Sequence, residues 1–159
     1  MKLTEFCNIG AGISLIFIIG MVYFHYIFDK NEATANFTSV LSEKQVQKYK
    51  EITNERLNIY YRGYLLGLFI SLCVIILNVV YINKKLGKIQ MACITGGITF
   101  LTTYFSYILS NKSDYMLLHI RGDEQKSAWL KLYKTMQYNY HMGLVFGIIA
   151  AMSLGYGFC

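Results

Sequence analysis

Four apolar stretches, each long enough to cross a bilayer, constrain this chain more than any other feature. They run approximately over Ile9–Phe28, Tyr60–Ile82, Ile89–Leu109 and Tyr140–Phe158, and a bilayer's hydrocarbon core takes about 20 helical residues. Of the 159 residues 55% are hydrophobic and 15% charged, and the mean hydropathy is +0.37. That is too little polar surface to cover a soluble domain of this size. Proline is absent, which favours long, unbroken helices. The expected fold is all-α: one integral membrane domain over 1–159, a four-helix bundle. Lys2 and Ala33-Thr34-Ala35 give the first span some likeness to a signal peptide. It is read as a retained span, because it has a partner later in the chain.

The connections differ in length. Asn83-Lys84-Lys85-Leu86-Gly87-Lys88 makes a tight turn between spans 2 and 3. The other two connections are long and fall on the opposite membrane face. Each is expected to begin with a short polar stretch and then become helical. Ser42 followed by Gln45 fits a capping box, and nothing from there to Ile82 breaks a helix. Helices 2 and 4 are therefore expected to extend from the bilayer as stems, Ser42 to Ile59 and Asp123 to Asn139. Val46, Tyr49, Ile52 and Ile59 in one stem, and Trp129, Leu132, Tyr133 and Met136 in the other, have spacing suited to helices packed together or lying on the membrane.

The two halves match at an offset of about 80. Glu43-x-Gln45 falls on Asp123-x-Gln125, Tyr49 on Trp129, Tyr60 on Tyr140, and Gly63-x-x-x-Gly67 on Gly143-x-x-x-Gly147. With one residue of slippage, Tyr23-Phe24-His25-Tyr26 matches Tyr104-Phe105-Ser106-Tyr107. The shared order predicts a duplication, repeat 1 over about 9–82 and repeat 2 over about 89–158. Two spans per unit would insert both copies the same way up, a parallel repeat. Acids and glutamine at the start of both stems suit helix initiation.

Membrane helices associate where small residues let backbones approach. Gly143, Gly147, Ala151 and Gly155 form such a ladder on span 4, and Gly63, Gly67 and Ser71 its counterpart on span 2. Span 3 offers Thr95, Thr99 and Thr103. Packing within the bundle is the reading adopted; a homo-oligomer interface on span 4 is the alternative.

Twelve of the fourteen tyrosines lie on the long-connection face or just inside it, as an interfacial aromatic belt would. The turn at Lys84–Lys88 is dense in positive charge and favours the cytosol for itself and both termini. Eleven of the fifteen basic residues, and the sequons Asn36-Phe37-Thr38 and Asn111-Lys112-Ser113, lie on the other face. Cytosolic termini are the reading adopted. The net charge of +6 is dispersed, so nucleic acid is not an expected partner. Cys73 reads as an apolar filler. Cys7, Cys93 and Cys159 share one face as free thiols, acylation sites or a disulfide.

His25, His119 and His141 lie on the long-connection side, with no H-x-x-x-H spacing. His25, Tyr60, Tyr140 and His141 form a candidate interfacial site; no catalytic residue, metal or cofactor is expected. Charged residues are missing deep in the spans, where Asn78 is the strongly polar exception, which argues against ion-coupled transport.

Asn54-Glu55-Arg56-Leu57-Asn58-Ile59-Tyr60-Tyr61-Arg62-Gly63 and Met136-Gln137-Tyr138-Asn139-Tyr140-His141-Met142-Gly143 resemble segments of small multi-span membrane proteins of the nucleocytoplasmic large DNA viruses. The resemblance covers roughly Ser42 to the C-terminus and carries over no active-site residue. It implies a place in the virion's internal membrane, or in a host membrane derived from the endoplasmic reticulum, and a role in assembly or in anchoring the capsid. The expected function is a non-enzymatic scaffold whose partners are the bilayer and either a second copy or another membrane or capsid protein. The alternative is a lipid-handling enzyme, or a small oligomeric channel, using the Tyr/His-rich interfacial region.

Overall fold

Glu43 to Leu77 form one uninterrupted helix of 35 residues, α3, about 52 Å long at 1.5 Å per residue. It starts where the sequence predicts: the Gln45 side chain reaches back and accepts from the Ser42 backbone N–H at 2.9 Å and from its hydroxyl at 3.0 Å. Its α-helical bonding is described to Leu77, and the expected end at Ile82 lies outside the described residues. After Leu77 the backbone widens into π-helical turns at Asn78 and Val80, a stretch of Asn and β-branched residues with low helix propensity. Asn78 thus caps the end of α3, where it was expected deep in a span.

The computed structural model describes residues 3–29, 31–78, 80 and 87–157, with side chains at all of these except 3–8, 25, 27–29 and 157. Besides α3 it contains α1 (Leu3–Asp29), α2 (Glu32–Ser39), α4 (Lys88–Leu109) and α5 (Gly122–Gly157), plus a 3₁₀ turn at Met116–Leu118. The described residues contain no strand. Helix α1 lies along α5, and α4 lies along both α3 and α5, whereas α1 and α3 share no extended contact. Gly122 starts α5 at φ +80°, backbone that favours glycine.

One end of the molecule, here called the head, has a core of large side chains. Phe37, Tyr49, Ile52, Met116, Ile120 and Leu132 are buried together. The sequence predicts only a polar turn before the first stem, but α2 forms there. Its single aromatic, Phe37, is fully buried and packs 5.6 Å from Tyr49 and 5.3 Å from Trp129. Eight residues make a marginal helix in isolation, so this one depends on that tertiary contact. The two stems meet across the same core through Tyr49, Ile52 and Leu132, while Tyr133 stays exposed.

The remaining parts of α1, α3, α4 and α5 pack through small residues. A Cβ on Gly67 would lie 2.9 Å from the Thr99 Cα, so α3 approaches α4 backbone to backbone. Ser71, Thr95, Thr99 and Thr103 are fully buried in that contact region. On α5, Gly147 lies against Met21 and Tyr64, and Gly155 against Thr95 and Ala92. The Ser14 hydroxyl donates to the Ala150 carbonyl at 3.0 Å. Gly143 and Ala151 are buried too. The ladder positions Gly143, Gly147, Ala151 and Gly155 on α5 are therefore buried against segments of the same chain.

Outside this small-residue seam the surface is apolar: Leu65, Leu66, Phe69, Leu101, Phe105 and Leu109 are all exposed. Among the described residues two helices, α3 and α4, are long and apolar enough to cross a membrane by length and composition. Four spans were expected. A shorter apolar stretch, Ile9–Phe24, lies in α1. The expected spans over 9–28 and 140–158 both run into residues whose backbone or side chains lie outside those described. Cys73 is half-buried and Cys93 exposed, both as free thiols; the side chains of Cys7 and Cys159 lie outside the described residues.

Candidate functional site

Two glutamines, read from the sequence as helix starters, turn out to tie the head together. Gln45 donates from Nε2 to the His119 carbonyl at 2.6 Å, and Gln125 donates to the Val40 carbonyl at 2.8 Å. Their side-chain amides also meet each other at 3.3 and 3.4 Å. The Gln125 Oε1 accepts from the Arg121 backbone N–H at 2.8 Å, much as Gln45 serves Ser42. Each glutamine therefore holds the start of its own helix and the end of the other connection. The matching positions Glu43/Gln45 and Asp123/Gln125 were visible in the sequence; a cross-chain bond between them was not, because capping chemistry explains them locally.

The segment between α4 and α5 is fastened to α3 by charge. Glu55 accepts from the Ser113 N–H at 2.9 Å and its hydroxyl at 3.0 Å. Arg56 pairs with Glu55 at 2.9 Å and donates to the Asp114 carbonyl at 2.5 Å. Asp114 meets His119 at 2.8 Å and Lys48 at 3.2 Å. The His119 hydrogen bond, then the Tyr115 N–H, hold its carboxyl down at about 2. Hydrogen bonds from Ser113 likewise lower Glu55.

Between the head core and the small-residue bundle lies a cleft of about 520 Å³. Tyr60 and Tyr140 meet on one wall, ring centroids 5.4 Å apart, and Tyr107 stands 5.0 Å from Tyr140. Phe24, Leu57 and Met136 add apolar surface; Arg56, Lys112, Asn139 and His141 add polar groups. Lys112 donates to the Tyr107 and Ile108 carbonyls, where a cation suits the C-terminus of α4. Its ammonium also lies 4.9 Å from the Tyr107 ring centroid. Asn139 is 9% exposed, and its Nδ2 has no hydrogen-bond partner.

Three of the four residues expected at an interfacial site, Tyr60, Tyr140 and His141, line this one cleft. The side chain of the fourth, His25, lies outside the described residues, although its neighbour Phe24 is at the cleft. His141 places Nδ1 2.6 Å from the Gln137 carbonyl; a carbonyl only accepts, so Nδ1 carries the proton. His119 is occupied elsewhere, on Asp114. Arg56, Lys112 and Asn139 were missed. Their signal, a basic residue one turn before Tyr60 and another just past the end of α4, reads locally as surface charge.

The lining supplies donors, rings and aliphatic surface but no carboxylate and no thiol. The Thr53 hydroxyl, also at the cleft, is spent on the Tyr49 carbonyl at 2.9 Å. No group of three or more potential metal ligands occurs among the described residues. The arrangement places polar donors beside rings and aliphatic surface in one cleft. Comparison with known protein families, with functionally described proteins and with solved structures finds no match to this chain.

Proposed function

We propose that this is a multi-pass membrane protein that anchors and orients a folded head on one face of a bilayer, acting as a scaffold and not as a catalyst. The observation that carries this reading is the exposure of the apolar helices. Only 33% of the apolar window of α3 and 28% of that of α4 is buried inside the protein, whereas the core helix of a soluble protein is mostly buried. Exposed apolar patches larger than a few hundred Å² are rare in soluble monomers, and lipid is the solvent that suits this one. From Tyr60 to Leu77 α3 would span about 27 Å, close to the hydrocarbon thickness. Its remaining residues then stand outside, where the head core forms.

In the same reading the four spans are two interleaved hairpins. The first span of each half packs on the second span of the other: α1 on α5, α4 on α3. Tyr60 touches Tyr140, and Gln45 touches Gln125. A residue that touches its own counterpart lies near an approximate two-fold axis, here one along the membrane normal as in parallel repeats. The axis is imperfect, since α4 packs along α5 while α1 and α3 share no extended contact. The setting we propose, from the resemblance of residues 54–63 and 136–143, is the internal membrane of a large DNA virus, with the head meeting a protein layer.

The test is fractionation of the expressed chain. It is expected to stay in the membrane pellet through alkaline carbonate and to leave only with detergent. Protease added to sealed vesicles should reach Lys126 and Lys131 from one side and Lys84 and Lys85 from the other. Release by carbonate alone, or cleavage of both sets from one side, would reject the multi-pass reading. The viral setting is checked separately, by proteomics of purified particles.

A further inference from the structure

We infer that the cleft holds one membrane phospholipid by its phosphodiester, specifically a lipid whose headgroup carries no amine. This rests on the membrane reading above and adds the ligand. Charge gives the first argument. Of the cations at and beside the cleft, Lys48 pairs with Glu51 and Asp114 and Arg56 pairs with Glu55, whereas Lys112 has no ion-pair partner among the described residues. Lys112 donates only to carbonyls, which occupy N–H groups without cancelling charge. One positive charge is left at a cleft whose lining contains no carboxylate, and a phosphodiester brings one negative charge. An amine-bearing headgroup would bring a second cation and find no acid to receive it.

Donors give the second argument. The Asn139 Nδ2 is buried at the cleft without a partner, and a buried unsatisfied donor costs about 1–3 kcal/mol. With less than 1 Å² of this atom exposed, the amide has to turn towards the cleft to meet a phosphate or headgroup oxygen. Access is the third. Phe24 of α1 and Tyr60 of α3 both line the cleft, and these two helices share no extended contact. One turn deeper Met21 closes against Tyr60 and Tyr64, so an acyl chain would leave sideways at the level of Phe24 and run along the outer surface of the two helices, with the headgroup at the level of the tyrosines.

The test is native mass spectrometry of the full chain, extracted in detergent and offered phosphatidylglycerol, phosphatidylcholine or inorganic phosphate. Phosphatidylglycerol is expected to be retained at one copy per chain and preferred over phosphatidylcholine. Lys112→Gln should lower its retention about tenfold, the size of one charge-assisted hydrogen bond, whereas Lys131→Gln on the outer stem should not. Because Lys112 also caps α4, Met136→Trp supplies a second arm: it fills the apolar part of the cleft, keeps every charge, and should lower retention of both lipids. Equal retention of the two lipids, equal loss in both lysine variants, or binding of inorganic phosphate as strong as that of lipid would overturn the inference. A chain that stays in the membrane fraction but carries no lipid sinks only this inference. A chain that leaves with carbonate sinks the membrane reading beneath it.

Discussion

The head and the bundle are built from the same two long helices by opposite packing rules. In the head, α3 and α5 contribute Tyr49, Ile52 and Leu132, and other segments bring Phe37, Met116 and Ile120 between them. Large side chains fill the space, and their removal from water stabilises it. Beyond Tyr60 and Tyr140 the same helices turn to Gly67, Ser71, Gly147, Ala151 and Gly155, backbones close in, and leucines and phenylalanines face outward. There the gain comes from close packing and from bonds such as Ser14 to Ala150. On the membrane reading proposed above, the difference teaches that one continuous helix can serve two solvents, provided its inward residues change size where the solvent changes. The cleft sits at that change, where neither rule fills the space.

The most damaging way to break this contrast is to put a large residue on the bundle seam. Gly67→Leu is expected to cost about 3 kcal/mol or more, because the clash is with backbone and not with a side chain that can swing away. The chain should lose its single sharp peak in detergent gel filtration. Leu66→Phe, one residue away but exposed, should leave that peak unchanged. Next comes the head. Leu132→Ala removes a fully buried side chain and should destabilise by about 2–5 kcal/mol. If the two regions are held by different forces, proteolysis should then open the head while the apolar helices stay protected. Loss of protection throughout would mean that the contrast is one of composition only.

What the sequence made legible was the part written in local pattern. The helical class, the Ser42/Gln45 start of α3 and the small-residue ladder at four-residue spacing could all be read along the chain. The offset of 80 matched Tyr60 with Tyr140 as equivalent positions, and their contact is seen only in the fold. What escaped depended on contacts between distant segments. Helix α2 depends on Phe37 reaching Tyr49 and Trp129, which no eight-residue window reveals. Asp114 looks like an ordinary loop acid until Lys48 and His119 are brought to it from either side. Lys112 and Asn139 become cleft residues only when the end of α4 folds over α3 and α5. The four expected spans were read from length, and two of them, over 9–28 and 140–158, run into residues whose backbone or side chains lie outside those described.

A finer measure of the head comes from the two glutamines. Gln45→Ala and Gln125→Ala each remove a bond to the other connection and one at the start of their own helix. Each should cost about 1–2 kcal/mol, and the double variant should fall short of the sum, since the two amides touch. Strict additivity in thermal melts would separate the two halves of the head and remove the argument that a two-fold axis runs through it.

The smallest effect expected is one of pH, and it distinguishes the head's charged edge from its apolar core. Asp114 has its carboxyl held at about 2, below the ordinary 3.8, first by His119 and then by the Tyr115 N–H and Lys48. A carboxyl with a depressed folded value binds fewer protons when folded, so unfolding takes up protons and acid favours it. Its stabilisation is fully present above about pH 4 and fades as the pH falls towards 2, with Glu55 acting in the same direction. Hydrogen exchange of residues 110–121 should therefore quicken over that range while the amides around Leu132 hold. Asp114→Asn should flatten the acid dependence and leave the segment looser at neutral pH, because the amide cannot replace the charge that Lys48 meets. An unchanged acid profile in that variant would assign the fastening of the segment to Glu55 and Arg56 alone.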